Sequence, residues 1–420
     1  MTSHPTPDRA TAVAAATVFT GPAAPYAGGD PYADHRAPDP AALPFTRLPD
    51  LADRRLGGSV TAASDEFFAE RENLLNPGPA RFDPAAFGHR GKVMDGWETR
   101  RRRGVHPDHP HPTADEHDWA LIRLGVPGLL HGLVVDTAHF RGNHPHAVRI
   151  EGTRVPGTPG PETLFAPATA WTELVPRTEV GGHAAHAFPL PGAALGRFTH
   201  LRLSQYPDGG IARLRAHGEP LADLDWLAAL GTFDLVALAH GGLVEDASDR
   251  FYSPPIHTIL PGRPRTMDEG WETRRRRDAG HDWLRYRLAA EGVVRAVEID
   301  TGCYRGNAPG WAELALWNAE NGTGGGGGGG LVGGGLVGGA PAEAAVAGPG
   351  EWRLALPRTR LLPDTVHRFV LPEDTPPATH ARLDVFPDGG VARLRLHGSP
   401  TEAGWRRLRE RQNPTGAPAS

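Results

Sequence analysis

The chain has 420 residues, room for two or three domains of ordinary size, and a formal net charge of −5 from 44 Lys+Arg against 49 Asp+Glu. That balance offers no global basic field, so nucleic acid is not expected as a partner. The single cysteine, Cys303, excludes an internal disulfide framework and a zinc site built on several thiolates, and no apolar run is long enough to span a membrane.

Residues 1–45 are rich in Pro, Ala, Gly and Asp, and lack the charged start and apolar core of a secretory signal; a flexible tail is expected there. Beyond it come, in order, GGSVTAASDEFF from Gly57, MDGWETRRRR from Met94, HDWALIRL from His117, DTAHFRGNHP from Asp136, WTELVPRT from Trp171 and YPDGGIARLRAHG from Tyr206. The same six blocks return in the same order: GGLVEDASDRFY from Gly241, MDEGWETRRRR from Met267, HDWLRYRL from His281, DTGCYRGNAP from Asp300, WRLALPRT from Trp352 and FPDGGVARLRLHG from Phe386. Self-similarity of this kind means two homologous domains in tandem.

Within each half the segments HGLVVDTAHF, LRLSQYP, IARLRAHG and VRAVEIDTGCY are short, alternating or β-branched, and bounded by Gly, Pro, Asp or Asn, which is strand patterning. PDGG reads as a tight turn between strands. LADLDWLAALGTFDLVALA reads as a helical connector and TEAGWRRLRERQ as its counterpart after the second half. The expected architecture is all-β: two tandem jelly-roll β-sandwich domains joined by a short helical linker. The segments are a tail at 1–45, repeat 1 at 46–218, the linker at 219–240, repeat 2 at 241–398, and a C-terminal helix and tail at 399–420. Repeat 2 carries a glycine-rich loop at 319–348, which no Gly-Lys-Ser/Thr follows, so it is no phosphate cradle.

If GWETRRRR is extended, Trp97, Thr99, Arg101 and Arg103 share one side, and Glu98, Arg100 and Arg102 the other. One reading is a solvated sheet edge with internal ion pairs. The other is an arginine clamp for a small carboxylate or ureido ligand, since guanidinium binds planar anions bidentately. DTAHFRGNHP places Asp136 at a strand end ahead of His139, Arg141 and Asn143. His139 is a candidate for proton transfer, with Asp136 to orient it. Repeat 2 has Cys303 at the place of His139, so a histidine role would belong to repeat 1 alone. His106, His109, His111 and His117 lie in or beside an insert specific to repeat 1; their proline-rich spacing matches no standard metal site, and a polar surface loop is the default. Asp118 is a candidate acid, base or arginine partner.

Together, GGSVTAASDEFF, NLLNP, MDGWETRRRR, HDWALIRLG and DTAHFRGNHP resemble the allantoicase family, a resemblance that runs through both repeats. It implies galactose-binding-like jelly rolls and a hydrolase of linear amidines and ureides, turning allantoate and water into (S)-ureidoglycolate and urea in purine degradation. It further implies a cytoplasmic homo-oligomer acting on a small molecule. The residues themselves point to no membrane association and to no particular cofactor; a divalent metal stays an open alternative that no clear ligand set supports. Set beside that chemistry, His139, Asp136, Glu98 and Asp95 are the expected catalytic residues. Arg101, Arg103, Asp118, Arg141 and Asn143 are the expected substrate-binding ones. A non-catalytic small-ligand or carbohydrate-binding sandwich is the competing class.

Overall fold

The computed structural model describes residues 16–319 and 352–412. Its chain forms two compact units, one running to Leu221 and the second over Ala222–Arg411. The glycine-rich loop expected at 319–348 lies, apart from Ala319, outside the described residues.

In the first unit a 19-residue strand, Asp118–Asp136, is the spine of one seven-stranded sheet and changes partners along its length. Its first part pairs with Ser59–Ala63 on one side and Arg197–Tyr206 on the other; the latter continues to Ala147–Thr153 and Thr172–Glu179. Its second part pairs with Ala185–Pro189 and Arg213–Pro220. Sequence explains the change of partners. Ala120, Ile122, Leu124 and Leu130 face the core on even positions, but Leu133 and Val135 do so on odd ones. The phase resets where the pairing with Arg213–Pro220 passes over His131, a one-residue bulge that turns the strand's other face inward. Between the two parts of this sheet lies one apolar cluster that includes Leu51, Leu74, Trp97, Ile150, Phe188 and Leu203.

The second unit repeats this plan around Asp282–Asp300, also 19 residues long. Leu243–Ala247 and Ala378–Phe386 flank its first part, and Val366–Val370 and Arg393–Pro400 its second. Each half is thus an antiparallel jelly-roll sandwich, as the strand patterning implies. The linker is α-helical over Leu224–Leu230, capped by Asp223 Oδ1 accepting from Trp226 N at 3.1 Å, and ends in a short 3-10 helix at Leu238–His240. Phe233–Asp234 between the two helices is a short strand paired with His397–Gly398. TEAGWRRLRERQ forms the helix Glu402–Gln412.

The expectation of a flexible tail through residue 45 needs correcting for residues 16–45. Thr17 and Ala187 exchange backbone hydrogen bonds, Arg36 and Ala184 bridge, and Phe45 is buried beside Leu43 and Ala187. Composition suggested disorder because the segment has few apolar residues; it is held instead by backbone pairing to a sandwich that already exists. Residues 1–15 lie outside the described residues.

Candidate active site in the first repeat

The Asp118–Asp136 strand delivers the turn Thr137–Asn143 to one end of the first sandwich. Against it packs the PDGG turn, where Gly209 sits at φ 146° and a side chain would strike Pro145 N at 2.6 Å, while one on Gly210 would strike the Phe140 ring. Glycine is required at both places. Thr99 and the two-residue strand Trp97–Glu98, paired with Gly210–Ile211, close the same corner. The result is a cavity of about 690 Å³ lined by Glu98, Arg101, Arg103, His139, Arg141 and Asn143, among others.

His139 is held in the left-handed region, φ 68°, where non-glycine residues are uncommon. Its backbone N–H donates to His183 Nδ1 at 2.8 Å, and its ring stacks on Phe82 with centroids 5.1 Å apart. Tyr32 meets the ring edge-on at 4.6 Å. Nε2 lies 3.2 Å from Ala80 O. A carbonyl only accepts, so this contact assigns the proton of the neutral ring to Nε2 and leaves Nδ1 as the basic nitrogen. Burial depresses the His139 pKa below the usual 6.5, so the ring is neutral at neutral pH.

Glu98 answers it from the arginine block. Asn143 Nδ2 donates to Glu98 Oε1 at 2.8 Å, and burial pushes the carboxyl pKa up from its ordinary 4.5, against the opposing pull of Asn143 and Arg101. The strand itself ends at Glu98. Even so, the four arginines divide by alternation. Arg100 binds Asp65 through its backbone N (2.6 Å) and Nε (2.9 Å). Arg102 reaches the buried Asp118 at 2.7 Å, and its N–H donates to Asp208 at 2.8 Å. Arg101 and Arg103 line the cavity, and among the described residues neither has a hydrogen bond or salt bridge.

Four expected assignments change. Asp118 does not face the cavity; it accepts from Arg102 and from Ser64 Oγ at 2.9 Å, a brace beneath the arginine block. Arg141 lines the cavity but is spent on Asp34 through two bonds of 2.6 and 2.7 Å, which also hold the Asp34 carboxyl well below its ordinary range. Asp136 orients His35, whose Nε2 lies 3.0 Å from Oδ1, and not His139. Asp95 is paired with the buried Arg213 at 2.8 Å and accepts from Arg81 N, a tie that lowers its pKa. The structure thus brings together Glu98, Arg101, Arg103, His139 and Asn143, and gives Asp118, Asp136, Asp95 and Arg141 bracing contacts.

Sequence reasoning missed Tyr32, Asp34 and His35, because the segment carrying them looked like a tail. It also missed His183, fully buried at φ 50°. A signal existed: aligning the repeats sets His183 opposite Asp364, and Asp364 also sits at φ 50°, with its Oδ1 accepting the Cys303 N–H at 2.8 Å. No cluster of three or more His, Cys, Asp or Glu suited to a metal occurs among the described residues; His106 and Asp108 of the insert form an exposed pair at 3.4 Å.

Residues 49–221 and 233–401 each match the allantoicase repeat family. A probable allantoicase of Streptomyces coelicolor is 59% identical over 398 residues, covering 95% of this chain and 97% of that protein. A probable allantoicase of Nocardia farcinica is 47% identical over 354 residues, covering 84% and 95%. The crystal structure of allantoicase from Saccharomyces cerevisiae superposes with a TM-score of 0.66 at 29% identity, covering 84% of this chain and 93% of that one.

Proposed function

The chain belongs to the allantoicase family, and we propose that the first-repeat cavity is where it hydrolyses allantoate to ureidoglycolate and urea. The observation that carries this reading is a cavity where two unpaired arginines stand beside a carboxyl with a raised pKa and an imidazole kept neutral.

Allantoate bears a carboxylate and two ureido groups on one carbon. Arg101 and Arg103 meet the carboxylate, the anion for which their planar donors are suited. His139 Nδ1 takes a proton from the attacking water, its tautomer fixed by the Nε2–H to Ala80 O bond. Glu98 gives a proton to the departing ureido nitrogen. The substrate carboxylate adds to the burial that already favours the protonated acid. A C–O bond forms, the C–N bond breaks and urea leaves; proton return from His139 to Glu98 through solvent resets the pair. Environments that push an imidazole down and a carboxyl up separate the roles of base and acid. Asn143 holds Glu98 in place.

Conversion of allantoate by the purified chain, followed as urea released, tests the reading. Stoichiometric urea supports it; thermal stabilisation by allantoate without urea would favour the binding-module class. Among the described residues no helix is long and apolar enough to cross a membrane. We further infer a cytoplasmic homo-oligomer, which the family resemblance supports and which sedimentation and fractionation test.

A further inference from the structure

The second repeat reproduces the ligand-holding half of the first site residue by residue, with the same residue pairs joined by hydrogen bonds. Asn307 Nδ2 donates to Glu272 Oε1 at 2.7 Å, as Asn143 does to Glu98. Arg274 is pinned by Asp249 at 2.7 Å, and Arg276 by Asp282 at 3.0 Å and by Asp388, as Arg100 and Arg102 are pinned in repeat 1. Arg275 and Arg277 are then left exposed, and among the described residues they have no hydrogen bond or salt bridge. An acidic shell that ties down two arginines of four, twice, leaves the same two free both times. A charge run kept only for solubility has no reason to be sorted this way.

The proton-handling half differs. Cys303 occupies the place of His139 with the same backbone, φ 71° against 68°, and its Sγ faces Pro264 O at 3.9 Å where His139 Nε2 faces Ala80 O. Asp300, the counterpart of Asp136, has Arg263 at 3.6 Å in place of His35. A thiol in this position has no second nitrogen to take a proton while its S–H is spent on a carbonyl.

We propose that the second repeat is a second binding site for a small carboxylate bearing a ureido group, gripped by Arg275, Arg277 and the Glu272–Asn307 pair and not turned over there. Its ligand class is that of the reaction's own substrate and product. The proposal rests on the function assigned to the first repeat, whose arginines and Glu–Asn pair define the ligand chemistry.

The probe is hydantoate, which carries one carboxylate and one ureido group on a single carbon and has no second ureido group to lose. Equilibrium dialysis of the full chain at saturating hydantoate is expected to give two ligands per chain. The Arg275→Ala/Arg277→Ala chain should bind one, and so should the Arg101→Ala/Arg103→Ala chain. In the latter, urea release from allantoate should fall to background although one hydantoate still binds. One hydantoate per wild-type chain, or two after removal of Arg275 and Arg277, overturns the proposal. Urea release at the wild-type rate without Arg101 and Arg103 would instead overturn the first-repeat assignment, a failure the stoichiometry reads separately. All four side chains are solvent-facing, so their loss leaves the core of each sandwich intact.

Discussion

Asn143 Nδ2 donates to Glu98 Oε1 at 2.8 Å, joining the turn that carries His139 to the arginine block. This bond lowers the Glu98 pKa against the burial that raises it. Asn143→Ala should therefore raise the Glu98 pKa further and loosen the carboxyl. The expected result is a loss of about tenfold in kcat, with the alkaline limb of the kcat profile moved to higher pH and KM little changed. A merely structural Asn143 would leave that limb where it is.

His139→Asn keeps a residue that tolerates the left-handed backbone while removing the base. Urea release should fall by roughly 10²-fold or more. In the parent chain the acid limb should lie below pH 6.5, because burial lowers the His139 pKa and activity needs the neutral ring. That limb should be missing from the variant, as a kcat profile from pH 4 to 9 will show.

Adjacent arginines should fail in different ways. Arg101→Ala removes a side chain with no hydrogen bond or salt bridge among the described residues, so KM should rise by about tenfold or more while Tm stays put. Arg102→Ala strands the carboxylate of Asp118, 2% exposed, and should cost roughly 2 to 4 kcal/mol of stability, read by denaturant titration.

His186 is fully buried and uses both nitrogens, Nδ1 accepting from Phe19 N and Nε2 donating to Gly181 O. Burial lowers its pKa from 6.5 to about 4. The unfolded chain takes up this proton from about pH 6.5 downward and the folded chain does not until about pH 4, so stability is full above 6.5 and declines as pH falls across that window. The loss amounts to about 3 kcal/mol from this group at pH 4. Urea titrations at pH 7 and pH 4 on the wild type and His186→Gln should show a smaller pH difference in the variant.

The fold was largely legible because duplication and strand alternation are written locally: six blocks in one order, and a Trp-Glu-Thr run whose arginines sort by parity. Alternation held for the arginines even though the strand stops at Glu98, since acidic partners, Asp65 and Asp118, replaced sheet pairing in setting their direction. The roles of Asp118, Asp136 and Arg141 were illegible for the opposite reason. Each is decided by a partner distant in sequence: Arg102 from the arginine block, and His35 and Asp34 from a Pro- and Gly-rich segment whose composition says nothing of where it docks. His183 was hidden too, because its work is to accept a backbone N–H, which no side-chain motif announces.

The assignment of chemistry to the first repeat is tested most directly by urea release from allantoate by the Glu98→Gln chain. Glutamine keeps the shape and the bond to Asn143, and cannot deliver the proton. The expected result is a fall in kcat of about 10²-fold or more with Tm and hydantoate binding retained; urea release at the wild-type rate would contradict it.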